Sequence, residues 1–550
     1  MRIVFEHRSL LAPLAPVAVV VAAFAFTTAL TPSLIPRTGA LQGLLAGAAF
    51  VVVYALTAAL GSAWAWLGLP VWRPRWMIIG TKAAALGIMI YGLAHVTEWQ
   101  NVVNAVSGLP PVESARPQII TGVALAVILP MIALGRLVRM LVVFAANWLA
   151  WLMPARLALI GSLALTAILF WTVGSGVLGS AILRTLDEGA RQVDALIDDG
   201  QPRPSASVHS GSRDSLIDWD SLGAFGRWRI GDYPSTAEIA EVAGPDGPEV
   251  KTPARVYVGL NSARTPEESA TLALDELRRI DAFSREVLVI ATPTGTGWVH
   301  PASVSPMEFL WRGDVASVSV QYSYLPSWLT LLVDPDYGVA TARAVFAAIR
   351  DHWQSLPPDS RPRLYLNGLS LGSRNSELSF EVWGILGTPF DGAFWIGPTF
   401  TNPLWQAFTA RRTPTSPAWR PVVGSGNLVR FATQQGIPDH GYHPWGPVRL
   451  LYLQHPSDAV TFFDPESLYR RPEWLSPRAP DVSPAFRWVP IVTFLQLFAD
   501  LVAGFRTPIG VGHAYAARDF IDGWHALTDP PGWSEERLDA LREWYAVRGR

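Results

Sequence analysis

Residues 366 to 373 read LNGLSLGS. Gly368 and Gly372 stand two positions either side of Ser370, straight after the apolar run Leu364-Tyr365-Leu366. Such a run fits a strand buried on both faces. The residues after it, 371 to 384, can form a helix, so Ser370 is expected on a strand-to-helix turn. A sharp turn of that kind lifts the hydroxyl above the sheet, and small residues at 368 and 372 avoid clashes within it. The next backbone N–H, that of Leu371, then faces a developing oxyanion at the positive end of the helix dipole. GxSxG alone is a common chance pattern, and the strand–turn–helix context gives it weight.

Further apolar runs, rich in Val, Ile, Leu and Tyr, lie at 255–260, 287–291, 315–321, 363–367, 393–396 and 449–453. Helical stretches separate several of them. Residues 266–280 follow Thr265, an N-cap candidate, and open with Glu267 and Glu268. A second helix is expected over 337–353. Alternating strand and helix predicts a mostly parallel, doubly wound sheet, whose active groups gather at the carboxyl ends of its strands.

A nucleophilic serine needs a base, and the base needs an orienting acid. In this fold class the chain order is Ser, acid, His. The strand at 448–453 runs into QHPSDAV, which places Asp458 in the next loop, and GVGHAY carries His513 in a late glycine-rich loop. The expected triad is Ser370, Asp458 and His513. Taken singly, Asp458 is equally a helix cap and His513 an ordinary surface histidine; the joint pattern favours the triad. His455 and His443 are rival histidines, and Asp464 and Asp391 rival acids. The second oxyanion donor is expected in TPTGTGW, residues 292–298, at Thr294, Gly295 or Thr296, against the plainer reading of a glycine turn.

The chain has 550 residues, enough for two or three domains. Charged residues make up 16%, against about a quarter in a soluble domain. The deficit sits in residues 9–183. Five apolar stretches there approach the length of about 20 residues that a spanning helix needs. They run over about 10–30, 41–67, 77–96, 118–135 and 157–183, with 137–153 an extension of the fourth or a surface helix. A signal peptide at 10–30 is rejected because more spans follow. Arginines 2, 8, 73, 75, 136, 139 and 156 would share one side, which makes that side cytoplasmic and places the remainder of the chain outside the cell membrane. Lys82, within the third span, reads as a snorkelling lysine, and Gly43 with Gly47 as a close helix contact. The bundle reads as a multi-pass anchor over 1–183. Residues 184–247 read as a connector, and 248–550 as the catalytic domain.

A net charge of −2 gives no electrostatic case for nucleic acid. The absence of cysteine excludes thiolate metal sites and a cysteine nucleophile. No metal site or cofactor is expected.

The runs VLVIATPTGTGW, VSVQYSYLPSWLTLL, RPRLYLNGLSLGS, LQHPSDAV and GHAY together resemble the actinobacterial membrane-anchored α/β-hydrolase family. Its members join a hydrophobic N-terminal region to an α/β-hydrolase domain. The resemblance covers nearly the whole chain and implies a serine-hydrolase triad on Ser370, Asp458 and His513. The chain departs from the family's usual Glu at the first variable position of the turn, where it has Leu369. No substrate follows from the resemblance.

An insertion at about 397–447 is expected to cap the site. Its aromatics Trp405 and Trp445, with Tyr324 and Trp328 after an earlier strand, are candidates to line an apolar pocket, unless they form a small core beneath a loop. With a membrane anchor nearby, the expected substrate is a lipid or acyl ester. An acyltransferase or peptidase using the same triad, and a transport or binding protein with a non-catalytic hydrolase-like domain, are the alternatives.

Overall fold

The computed structural model describes residues 14–70, 75–172, 179–194, 201–333, 336, 338–385, 387–438 and 441–549. The chain forms two compact units, Met1–Thr185 with Phe463–Ala503, and Leu186–Phe462 with Gly504–Arg550. The division differs from the expected continuous domain over 248–550, because residues 463–503 group with the N-terminal helices.

The first unit holds α1 (Pro16–Ala29), α2 (Gly39–Trp66), α3 (Arg75–Val106), α4 (Pro117–Leu149) and α5 (Ala155–Trp171). Three helices, Gly39–Trp66, Trp76–Val106 and Pro117–Leu149, are long and apolar enough to cross a membrane; α1 and α5 are shorter apolar helices. The fifth expected stretch ends as helix at Trp171, and its residues 173–178 lie outside the described residues. The ambiguous stretch after Gly135 continues α4, which runs through Pro130 to Leu149. Large apolar side chains such as Leu60, Ile79, Phe144 and Ile168 face outward, as they do where a helix meets lipid.

Glycine sets the close approach of α2 to α4. A Cβ on Gly43 would stand 2.6 Å from the Ile120 carbonyl oxygen, and one on Gly47 3.0 Å from the Val127 Cβ. The loop after α1 carries Arg37, whose Nε donates to Oδ1 of Asp500 at 2.6 Å in the helix Val492–Ala503. Both side chains are buried. Ser33 Oγ (2.7 Å) and the Leu34 N–H (3.2 Å) donate to the other carboxylate oxygen. Gln496 Nε2 donates to the carbonyls of Thr28 and Thr31, both at 3.2 Å, at the end of α1. Residues 463–503 thus group with these helices through buried polar contacts that the spacing of the sequence does not show.

The second unit is built on seven strands: β1 (Ala254–Val258), β2 (Val287–Thr292), β3 (Val315–Val320), β4 (Arg363–Leu369), β5 (Gly392–Ile396), β6 (Val429–Ala432) and β7 (Arg449–Leu453). Their order is β1-β3-β2-β4-β5-β7-β6, and every pairing is parallel. Helices cover both faces, as the nearly unbroken burial of the strands requires. Pro266–Arg279, capped by Thr265, packs with Val339–Ser355. Pro301–Leu310 packs against Ala517–Thr528, whose Trp524 ring lies 6.0 Å from that of Tyr365 and 5.2 Å from that of Phe394.

Two expectations are corrected here. The insertion at 397–447 is not all cap, because its residues 429–432 are β6, an edge strand only four residues long. The Pro- and Ser-rich part of the connector lies along the outer edge of β1. His209 bridges Arg255, and Arg255 N–H donates to the Val208 carbonyl at 3.1 Å. Such a segment buries few side chains, yet its backbone closes an open sheet edge. The connector also holds the helix Thr236–Ala243, with a capping box between Ser235 and Glu238.

Between β4 and the helix Leu371–Glu377 the chain reverses within one residue. A Cβ on Gly368 would stand 2.4 Å from the Gly372 carbonyl oxygen, and one on Gly372 2.4 Å from that of Thr292. Two tests follow. Asp500→Ala, which leaves the buried Arg37 unpaired, is expected to cost about 3–5 kcal/mol as a lower melting temperature in detergent, with Arg37→Met/Asp500→Leu recovering most of it; wild-type melting of the single variant contradicts this. Gly372→Ala, which forces backbone apart, is expected to cost about 1–3 kcal/mol, also read by melting.

Candidate active site

Ser370 occupies the turn with φ 56° and ψ −125°, a conformation unfavourable for a residue with a Cβ and held only where surroundings impose it. The β5 strand supplies that constraint, since Ser370 N–H donates to the Ile396 carbonyl at 2.9 Å. The N–H groups of Leu371 and Gly372 start the next helix and have no partner within it.

Asp458 lies in the loop after β7, and His513 in the glycine-rich loop before the helix Ala517–Thr528. His513 Nδ1 lies 2.7 Å from Asp458 Oδ2, with both side chains buried. Tyr515 O–H donates to the same oxygen at 2.7 Å, and the Val460 N–H to Oδ1 at 2.8 Å. Burial pushes the Asp458 carboxyl up, but attraction to His513 and these hydrogen bonds outweigh it and hold the group below its ordinary range. The ionised acid fixes Nδ1 as the protonated nitrogen and leaves Nε2 to act as a base. His513 Nε2 is buried and has no hydrogen-bond partner among the described residues. The ring stands over the end of β5: a Cβ on Gly397 would lie 2.8 Å from His513 Cε1. Ser370 and His513 are therefore both seated on Ile396–Gly397.

The loop after β2 abuts the turn, with the Thr292 and Pro293 carbonyls against Gly372. Its candidate donors differ. Thr294 N–H donates to the Trp298 carbonyl at 2.9 Å, and Gly295 N–H to Ser327 Oγ at 2.9 Å. Both are engaged in shaping their own loop. Thr296 is half-buried, and among the described residues its N–H has no such bond.

The aromatic candidates serve packing. Tyr324 O–H donates to Asn261 Oδ1 at 2.8 Å. Trp405 is buried, with Nε1 donating to Gln454 Oε1 at 2.6 Å. Trp445 Nε1 donates to the Ala526 carbonyl at 3.2 Å, beside Arg449 at the amino end of β7 and thus at the sheet edge opposite the turn. Trp328 lies in the short helix Ser327–Val333.

Among the rivals, Asp391 accepts the Leu364 N–H at the amino ends of β4 and β5, away from the serine. Asp464 caps the turn Pro465–Leu468. His443 is exposed. His455 is buried, and its Nδ1 lies 2.9 Å from the Gly512 carbonyl, so it pins the residue before His513. Spacing along the chain did not reveal Tyr515, the aromatic two residues after the histidine, or His300. The His300 Nδ1 accepts the Ala302 N–H at 3.1 Å, so the neutral ring carries its proton on Nε2. Burial, then the nearby His513, lowers its pKa to about 4. Among the described residues, no group of three or more His, Asp or Glu side chains is arranged to hold a metal ion.

No curated protein matches the chain. Among solved structures, one described under LipS and LipT, two metagenome-derived lipolytic enzymes, aligns at 15% identity over 32% of this chain and 89% of that one. Its TM-score of 0.16 is too low to bear on fold or activity. A family model described as "Alpha/beta-hydrolase family N-terminus" matches residues 30–234. Another, described as "Alpha/beta-hydrolase family", matches residues 254–541, more than half of the sequence, and the chain belongs to that family.

Proposed function

We propose that the chain is a membrane-anchored serine hydrolase, an esterase or lipase acting on lipid or acyl esters. The observation that carries the reading is the buried Asp458–His513 pair, whose unpartnered Nε2 shares a strand end with the strained Ser370. In this reading His513 Nε2 removes the Ser370 proton as Oγ attacks the ester carbonyl. The Leu371 N–H holds the oxyanion, with the Thr296 N–H as second donor. Collapse of the tetrahedral intermediate expels the alcohol, which takes the proton from His513. Water activated by the same nitrogen then releases the acid and restores Ser370. Asp458 stays ionised throughout and keeps the ring in its working tautomer.

The five apolar helices α1 to α5, three of them of full spanning length, support a multi-pass anchor, and the arginine asymmetry supports an extracytoplasmic catalytic domain. Absence of cysteine permits a direct test. Asp359→Cys, at an exposed turn, is expected to react with a membrane-impermeant maleimide in intact cells; labelling only after lysis reverses the orientation. Catalysis is tested by turnover of p-nitrophenyl esters of increasing acyl length. Ser370→Ala is expected to abolish it, and Asp458→Asn to lower kcat about 10,000-fold through the wrong His513 tautomer. Wild-type turnover in either variant contradicts the mechanism.

A further inference from the structure

The helix that follows Ser370 carries one buried carboxylate, Glu377. Its Oε1 accepts from Asn402 Nδ2 and from Tyr452 O–H, both at 2.8 Å, and its Oε2 from the Leu404 N–H at 2.9 Å. Asn402 is the N-cap of the helix Pro403–Ala410, so an anion from another element sits at that helix's positive end. Three pieces of the chain meet on this carboxylate: the helix after the nucleophile, the loop after β5, and β7.

Two lines of contact lead from it towards the reacting groups. Asn402 Nδ2 also donates to Ser373 Oγ at 3.2 Å, and Ser373 Oγ donates to the Ser370 carbonyl at 2.7 Å. That carbonyl belongs to the same planar peptide as the Leu371 N–H, so holding one end of the plane aims the other. In the loop after β5, Asn402 Oδ1 accepts from both the N–H and the hydroxyl of Thr399, each at 2.8 Å. The same loop begins at Gly397, directly beneath the His513 ring.

We propose that Glu377 is a positioning residue, which through Asn402 and Ser373 fixes the oxyanion-binding peptide and the floor under His513. The inference rests on the serine-hydrolase reading above. Every contact of Glu377 is one in which it accepts, so the ionised form suits the network best. Burial opposes that form and pushes its pKa up to about 7, against the hydrogen bonds from Asn402, Tyr452 and the Leu404 and Trp405 amides. The titratable group facing it is Tyr452, from β7, which burial and Glu377 itself keep protonated. Protonation of Glu377 at the acid side of neutrality removes an acceptor and loosens the peptide plane.

The test measures kcat, KM and pH dependence with p-nitrophenyl butyrate on the full chain in detergent. Glu377→Gln is expected to lower kcat about 10- to 100-fold with KM within about twofold, and to lose the part of the acid limb centred near pH 7. Glu377→Asp, which keeps the charge, recovers part of the rate. Ser373→Ala, a milder change, is expected to lower kcat about tenfold with only a small drop in melting temperature. Wild-type kcat and pH profile in Glu377→Gln, or wild-type kcat in Ser373→Ala should Glu377→Gln fail to fold, overturn the proposal while leaving Ser370 as nucleophile. Turnover in wild type that survives Ser370→Ala instead removes the reading beneath it.

Discussion

The backbone at Ser370 is the constraint on which the rest of the site depends. A residue with a Cβ holds φ at 56° only if the surrounding structure leaves it no alternative. Here that structure is explicit. Gly368 lies against the Gly372 carbonyl, Gly372 lies against the Thr292 and Pro293 carbonyls, and Ser370 N–H is held by Ile396. Three neighbouring strands, β2, β4 and β5, therefore constrain the backbone of one serine. The same packing delivers the loop after β2 and the end of β5 to Ser370, so the surroundings of the hydroxyl follow from the turn itself.

Electrostatics completes what the turn begins. Asp458 and His513 are 55 residues apart in sequence and 2.7 Å apart in space. A carboxylate taken out of water is costly unless it is paired and hydrogen-bonded. Asp458 meets both conditions through His513, Tyr515 and the Val460 amide. Residues 463–503, which lie between the acid and the histidine in the chain, group with the N-terminal helices and supply Asp500 to a buried pair with Arg37.

The parts of this arrangement that were legible in the sequence are those written in local pattern. The turn announced itself because an apolar strand, two glycines and a serine fall within ten residues, and six of the strands because each is a continuous apolar run. β6 was hidden, since VRFA is four residues inside a Pro-, Gly- and Trp-rich stretch. The edge segment around His209 was hidden for a different reason: it pairs through its backbone, which leaves no side-chain signature. Trp445 was misplaced because aromatic composition does not say which end of a strand a residue occupies. Glu377 and Tyr515 were illegible because their meaning lies in hydrogen-bond partners distant along the chain, such as Tyr452 for Glu377.

The chemistry of the site depends on whether Ser370 Oγ is an activated nucleophile. The most direct measurement is peptide mapping by mass spectrometry of the folded, detergent-solubilised chain after reaction with a fluorophosphonate. A single covalent adduct on Ser370, lost when the chain is unfolded before the reagent is added, is the predicted result. A folded chain that forms no adduct, or one that forms it on a different serine, contradicts the account.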